Sequence, residues 1–534
     1  MLRLTEIKLP LDHDDAALRQ AIVTALRLPD AALREVRIRR RGYDARKSGA
    51  IRFVYTVDVD VADEAQALRN NPRLTPTPDE QYRYPVRAAA LSERPIVIGT
   101  GPCGMFAALS LARMGLRPIV LERGRDARTR TQDVWGFWRR REFNAESNVQ
   151  FGEGGAGTFS DGKLHSGIKD RGHHGKQVLA DFAAAGAPPE IVYISKPHIG
   201  TYKLVKVVEN LRAEITALGG EVRFQQHVVD FDIDAGVMKG VVLANGERIA
   251  AGHVVLALGH SARDTFEVLH RRGVYLEAKP FSVGFRLEHP QRLIDVCRFG
   301  PQAGHPALGA ADYKLVYHSK RGRSVYSFCM CPGGQVVAAA SEPGHVVTNG
   351  MSTYSRNQDN ANSGIVVDIE PADFGGEGPL AGIAFQRRWE RRAFELGGGN
   401  YNAPAQLVGD FLAGRASTGA GAVKPSYQPG VTWTDLSTSL PDYVIAAIRE
   451  ALPAFAREIE GYDLPDAVMT GVEVRTSAPV RITRDAHYQS LNTRGLYPAG
   501  EGAGYAGGIL SAAVDGMKVA EAVAREMVAV QQDR

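Results

Sequence analysis

The stretch from Ile96 to Arg123 constrains the fold more tightly than any other part of the chain. Ile96, Val97 and Ile98 form a short, wholly apolar run, as a parallel strand buried on both faces requires. Gly99, Gly101 and Gly104 follow in G-x-G-x-x-G spacing. Met105, Ala108, Leu109 and Ala112 then recur at the spacing of one helix face. A second apolar run, Ile119 to Leu121, ends at Glu122 and Arg123. The first glycine allows a tight turn, the second lets backbone approach a pyrophosphate, and the third lets the helix pack on the strand. The helix start offers free N–H groups and partial positive charge to the diphosphate. Glu122 is placed to accept hydrogen bonds from an adenosine ribose. The unit reads as a dinucleotide-binding strand–turn–helix–strand.

At 534 residues, two or three domains are expected. The net charge of +4 is small for this length and argues neither for nor against nucleic-acid binding. Met1 is followed by Leu-Arg-Leu-Thr-Glu-Ile-Lys, which lacks the apolar stretch of a secretory leader. No apolar run reaches the roughly 18 residues of a membrane span. Four cysteines are too few for a disulfide framework and fit a reducing cytoplasm.

Residues 1–90 read as a small α+β, ferredoxin-like module. Asp14 to Leu28 predicts a helix, and Val36 to Arg40 and Ile51 to Val59 alternate as half-buried strands. Asn70 to Pro85 reads as a Pro/Asn-rich linker. Asp126 to Glu142 predicts a helix and turn. Val222 to Asp230 and Val237 to Leu243 predict strands, with Asn245-Gly246 as a hairpin turn. His253 to Gly259 is another apolar strand ending in glycine. About 200 residues of mixed short strands and Gly/Pro turns follow, too many for a loop, so they form an inserted domain. A last helix carries Leu510, Ala513, Val514 and Met517 on one stripe.

Near the C-terminus Gly502, Gly504 and Gly507 make a second glycine pattern, but no strand ending in an acid follows its helix. A second complete dinucleotide unit is therefore not expected. Both ends of the chain are instead expected to close around one large cofactor. In this the chain resembles single-dinucleotide flavoproteins of the glutathione-reductase-like superfamily. The resemblance implies that Gly99, Gly101, Gly104, Glu122 and Arg123 hold the ADP half of FAD. It implies that the strand end at Gly259 passes near the cofactor, and that Gly500 and Glu501 meet its ribityl–diphosphate portion. The helix beginning near Gly507, Gly508 and Ile509 would aim its N-terminus at the flavin pyrimidine edge, where it would stabilise negative charge. More narrowly, the chain is similar to a bacterial family of FAD-dependent dehydrogenases. The likeness rests on Val97–Gly104, Phe151–Leu164, Lys196–Gly200, Ser327–Gly334 and Gly500–Leu510.

The loop Gly154-Gly-Ala-Gly-Thr-Phe-Ser-Asp161 has glycines enough to lie against a flat ring or phosphate. Gly154, Gly155, Thr158, Ser160 and Asp161 are assigned to the flavin by their position after the first unit, together with Val228. Lys163, His165 and His198 are candidates for acid/base work, as is Lys196 for anion binding. Each of these also fits a structural or surface role. Arg286 and Glu288, on an alternating run, read as a solvated face. Cys329 and Cys331 form a C-x-C pair that an extended strand would turn to one face. That spacing permits redox chemistry or metal binding, but with no second pair available no cysteine metal site is expected, and the two read as small packed strand residues. Cys103 reads as packing in the glycine turn. Arg37, Arg39, Arg40, Arg41, Arg46 and Lys47 are the strongest basic cluster, yet no aromatic residues interleave with them.

The expected fold class is α/β: a Rossmann-like FAD-binding domain with an inserted mixed α+β substrate domain and a small N-terminal α+β module. The expected divisions are 1–90 for the N-terminal module, 91–265 and 471–534 for the FAD domain, and 266–470 for the insertion. The expected activity is two-electron transfer between noncovalent FAD and a small-molecule substrate, with NAD(P)H as a transient donor. A flavin monooxygenase and an RNA-binding, tRNA-modifying flavoprotein are the alternatives. No metal is expected, nor is a nucleic-acid or membrane partner. The substrate and the oligomeric state are not written in these motifs.

Overall fold

The structure is a computed structural model that describes residues 1–46, 50–87 and 93–532. Lys47 of the basic cluster and the expected domain boundary at 90/91 lie outside the described residues. The first module runs strand–helix–strand–strand–helix–strand. Its four strands pair in the order Leu33–Asp44, Arg52–Val61, Leu2–Pro10, Thr75–Pro76, all antiparallel. The helix Asp15–Leu26 begins where the Asp14 side chain accepts from Ala17 N at 2.7 Å, an N-cap. The stretch read as a linker is more than that. It holds the edge strand Thr75–Pro76, and its Glu80 takes Arg3, Arg39 and Lys176 in ion pairs.

The dinucleotide strands lie at the centre of a parallel five-stranded sheet. The order is Leu496–Pro498, Val254–Leu256, Ile96–Ile98, Ile119–Leu121, Glu221–Arg223. A strand from the far end of the chain thus completes the sheet begun by the glycine motif. The helix Pro102–Arg113 covers one face, and the helix Ile509–Gln532 lies across it. A Cβ on Gly516 would stand 2.1 Å from the Cys103 carbonyl oxygen, so this crossing needs glycine. Likewise a Cβ on Gly104 would stand 1.9 Å from Gly99 O, which is the helix-on-strand contact expected of the third glycine. The single strand expected over Val222 to Asp230 divides in two. Glu221–Arg223 joins the parallel sheet, and Val228–Asp234 pairs with Val237–Leu243 in a separate antiparallel sheet.

The insertion is built on a seven-stranded sheet rather than on short strands alone. Its order is Val316–His318, Ser324–Cys331, Asn360–Ile369, Phe281–Pro290, Val468–Glu473, Ala403–Leu407, Val431–Trp433. Phe281–Pro290 is the middle strand, and every residue from Phe281 to His289 is buried. Arg286 and Glu288 are therefore not a solvated face. Covered on both sides, they must be partnered. Arg286 meets Glu473 at 2.5 Å, and Glu288 accepts from Asn360 at 2.9 Å and from Ser426 Oγ at 2.5 Å.

The seven-stranded sheet and its covering helix are locked to the parallel-sheet layer by a buried ion cluster. Glu390, on the helix Ala381–Leu396, accepts from Arg263 at 2.5 Å and from Arg475 at 2.7 Å. Arg263 opens the helix that follows the Val254–Leu256 strand, and Arg475 follows Val468–Glu473. All three side chains are buried. Removing one member of such a cluster leaves charge buried without a counter-ion, which costs roughly 3–5 kcal/mol. We expect Glu390→Ala to lower the midpoint of thermal or urea unfolding by that order. A variant as stable as wild type would show that the cluster contributes nothing to the fold.

Candidate active site

A cavity of about 410 Å³ opens between the parallel sheet and the insertion. That is ordinary for a small-molecule or cofactor site, roughly 300–1,000 Å³. Its first wall is the turn containing Gly99, Thr100 and Gly101. Gly99 sits at φ +98°, which side chains disfavour. Gly101 is the N-cap of the helix Pro102–Arg113 and supplies no side-chain cap, so the helix start is left for a ligand. A Cβ on Gly101 would meet only Gly155 Cα, at 3.9 Å, and so would project into the cavity. The opposite end is lined by Glu501, Gly507, Gly508 and Ile509, where the last helix begins. Two helix starts and two glycine-walled faces suit a long diphosphate-bearing cofactor with a flat ring.

Of the expected cofactor residues, the cavity wall gathers Gly99, Gly101, Glu122, Arg123, Gly155, Ser160, Asp161, Val228, Gly259, Glu501, Gly507, Gly508 and Ile509. Lys163 and His165 stand there too. Gly104 lies behind the turn, as its packing role demands. Gly154 and Thr158 line a smaller adjoining cavity, because Gly154 lies against the Thr158 hydroxyl. Gly500 packs on Cys103 while its N–H donates to Asp515 at 2.7 Å. His198 is not among the lining residues, its Nε2 lying 3.0 Å from Tyr354 O, and Lys196 pairs with Asp312 at 2.7 Å.

Glu122 departs from its expected role in one respect. Its two oxygens already accept from Thr100 N at 2.9 Å, Thr100 Oγ1 at 2.6 Å, Gly124 N at 2.9 Å and Gly152 N at 3.0 Å. A carboxylate has about four acceptor positions. A ribose hydroxyl would reach this one only by sharing an oxygen, so Glu122 also fixes the turn. Arg123 is held by Glu146 and Asp264, each at 3.0 Å, and lies 4.0 Å over the Phe151 ring.

The sequence reading missed Arg130, Glu473 and Arg475, and it read Cys329 as packing. Arg130 is fully buried and donates to the carbonyls of Asn148, Val149, Gly152 and Glu153, pinning the loop that enters the site. Burial pulls its guanidinium down to about 10, against the pull of Glu122 and Glu153. Cys329, Glu473 and Arg475 line the cavity from the insertion's side. The charged pair alternating inside the apolar run Val468-Met-Thr-Gly-Val-Glu-Val-Arg was the available signal. Burial pushes the Glu473 carboxyl up to about 7, only partly offset by Arg286. Burial likewise pushes Glu501 up to about 7, against Lys279. His165 is pushed down, by burial first and then by Lys163.

Comparison with known proteins accords with this site. Residues 93–275 match the family described as pyridine nucleotide-disulphide oxidoreductase, and residues 280–476 match the FAD-dependent protein, C-terminal domain-like family. Residues 1–60 match a domain of unknown function. The chain is an FAD-dependent oxidoreductase. It belongs to one family with an "Uncharacterized protein" of Clostridium beijerinckii (strain ATCC 51743 / NCIMB 8052), 49% identical over 524 residues, 97% of this chain and 98% of the relative. Among solved structures it is similar to glycine oxidase from Bacillus cereus ATCC 14579, at 10% identity and a TM-score of 0.35 over 82% of this chain and 95% of that one. It is similar too to L-proline dehydrogenase from P. horikoshii, at 11% identity and a TM-score of 0.33 over 84% and 100%. Superpositions this loose add nothing about substrate. No helix among the described residues is long and apolar enough to cross a membrane.

Two outcomes follow. Gly101→Val should abolish FAD retention while the N-terminal module stays folded, because its branched side chain would occupy the diphosphate path. Flavin absorbance at normal occupancy after gel filtration would show that this turn does not cradle phosphate. Glu501 gives a pH dependence. The folded apoprotein keeps a proton that the unfolded chain releases above the ordinary 4.5, so stability falls as pH rises from 4.5 to about 7 and is flat beyond. The loss is on the order of 3 kcal/mol at most. Glu501→Gln should flatten that part of the apoprotein's melting-temperature profile; an unchanged profile would mean that Glu501 does not hold the proton.

Proposed function

We propose that this protein is a dehydrogenase or reductase that passes two electrons between noncovalently held FAD and a small molecule entering from the insertion's side. One observation carries the reading. The cavity whose sheet side offers two helix starts is walled on its other side by Cys329 and Glu473 of the inserted sheet and by Arg475 just beyond its strand. When bound, FAD supplies the two-electron chemistry. The chain supplies orientation and protons. Glu473, which titrates near neutrality, can give or take a proton at the substrate, and Arg286 at 2.5 Å sets its position. His165, on the wall and at the rim of a neighbouring open groove, marks the way in. We assign residues 93–265 and 474–534 to holding the cofactor and 266–473 to covering the substrate, since Val468–Glu473 is a strand of the inserted sheet.

A cytoplasmic setting goes with this reading, since all four cysteines are free thiols. An RNA partner does not. Arg37 pairs with Glu35, Arg39 with Asp58 and Glu80, and Arg46 with Asp44, so much of the basic cluster is neutralised within the module.

The test is anaerobic stopped-flow bleaching of the flavin by NADH, NADPH and candidate metabolites, with air-exposed products analysed beside it. Bleaching without oxygenated product is expected. Stoichiometric hydroxylation, or RNA recovered with the protein, would overturn the reading. Glu473→Gln should keep its flavin and lose roughly 10²–10⁴-fold in the substrate half-reaction, the usual weight of acid–base catalysis. An undiminished rate would remove Glu473 from the chemistry.

A further inference from the structure

The proposed function gives the Cys329-Met-Cys331 pair no chemical step, and the pair departs from a regular strand. The strand Ser324–Cys331 pairs with Asn360–Ile369, but the register shifts between Phe328 and Cys331. This β-bulge breaks the alternation that would have set both cysteines on one face. Cys329 takes φ +44°, a conformation unusual outside glycine, and forms part of the cavity wall. Bulges beside sites commonly re-aim a side chain in this way. Cys331 remains fully buried, its Sγ 3.3 Å from the Cys329 carbonyl oxygen. One thiol thus opens on the cavity, and the other stands directly behind it.

Two cations are fixed on the backbone of this short turn. The Lys163 ammonium donates to the carbonyl of Met330, between the two cysteines. Arg286 Nη1 donates to the Cys329 carbonyl at 2.8 Å. The Cys331 thiol hydrogen-bonds to Cys329, and with Lys163 and Arg286 it draws the Cys329 thiol well down despite burial; Asp161 opposes them. The same hydrogen bond and burial push the Cys331 thiol up. Glu473 and Glu501 also face Cys329, and its thiolate raises both. A half-buried thiol of lowered pKa on the cavity wall, with a second, buried thiol of raised pKa hydrogen-bonded to it, is the arrangement of an attacking and a resolving cysteine.

We propose that Cys329 and Cys331 form a redox-active dithiol on the cofactor cavity, and that a small-molecule disulfide is a substrate of this site. The inference rests on the reading of the cavity as that of an FAD-dependent reductase and names its substrate class. The Cys329 thiolate attacks one sulfur of the disulfide RSSR. A Cys329–SR bond forms, the RS–SR bond breaks, and RS⁻ leaves and takes a proton. Cys331 then loses its proton and attacks the Cys329 sulfur, forming the Cys329–Cys331 bond and expelling the second RS⁻. In sum RSSR gains two electrons and two protons, and the dithiol loses them. Two electrons and two protons from the reduced cofactor restore the dithiol.

The experiment equilibrates the FAD-loaded full-length protein in glutathione buffers of rising GSSG:GSH ratio, quenches in acid, and maps thiols by alkylation and mass spectrometry. Exposed Cys297 and buried Cys103 serve as internal references. An internal Cys329–Cys331 disulfide should form while Cys297 and Cys103 form none. Cys331→Ser should instead trap glutathione on Cys329. Lys163→Met should slow iodoacetamide alkylation of Cys329 at pH 7 about tenfold, the effect of one unit in thiol pKa. Wild-type protein in which the pair stays reduced at every ratio overturns the proposal, and this arm needs no variant to fold. A folded Cys331→Ser protein without the mixed disulfide overturns it as well. Flavin absorbance on the same samples separates the two readings. Flavin that is reduced by donor beside an inert pair overturns only the dithiol, whereas flavin that no donor reduces overturns the reductase reading whatever the thiols do.

Discussion

Glu390 between Arg263 and Arg475 is the constraint on which the rest of the molecule depends. Each residue comes from a different segment: one follows the cofactor sheet, one lies on a helix of the insertion, and one follows the sheet strand that returns toward the cofactor. A fully buried carboxylate with two guanidiniums cannot move out of register without stranding charge. Arg475 also donates to Ser261 at 2.9 Å and Ser341 at 2.5 Å, and Arg263 to Gln386 at 3.0 Å, so the cluster's polar atoms are largely satisfied. Because Arg475 and Ser261 both line the cavity, the same contact that joins the two domains sets the width of the site between them.

The sheet side of the site is organised differently, by backbone rather than by charge pairs. Glu122 collects N–H groups from the glycine turn and from Gly152, while Arg130 collects carbonyls from 148–153. One side chain gathers donors and the other acceptors, and between them they hold two irregular segments edge to edge. Irregular backbone cannot satisfy itself as a helix or strand does, so a buried loop needs such side chains. The cost of burying a carboxylate and a guanidinium is offset because each is hydrogen-bonded on nearly every side.

What was legible in the sequence was local. The glycine spacing, the apolar triplets and the helix stripe near Met105 all describe contacts made within some 30 residues, and each specifies its geometry by itself. The late Gly500–Ile509 segment was legible because glycines before a helix mark a helix start open to a ligand. What failed was long-range. Arg286 and Glu288 alternate like an exposed face, and only the neighbouring strands on both sides show that nothing there reaches water. The strand expected over Val222 to Asp230 broke because its two halves join different sheets. The C-x-C pair read as ordinary alternation because a bulge is set by the partner strand's register, which is not written in the bulged strand alone. Glu473 and Arg475 stand out as charges in an apolar run, but their role was not legible for the same reason, since their partners lie over 80 residues away in the chain.

The N-terminal module is tied into this arrangement by the segment that joins it to the cofactor domain. Tyr82 donates to Glu521 on the last helix at 2.7 Å, and His174 meets the same carboxylate at 2.7 Å. Glu80 holds Arg3 and Arg39 of the module's own sheet together with Lys176 on the cofactor side. The last helix therefore carries load at several points along its length. Its start faces the cavity, Gly516 presses on the helix of the dinucleotide motif, and Glu521 anchors the segment leading from the first module. A rigid helix transmits displacement along its axis, so a shift at its start is resisted by contacts made by both ends of the chain. The last helix is thus held both by the helix of the dinucleotide motif, through Gly516, and by the segment leading from the first module, through Tyr82.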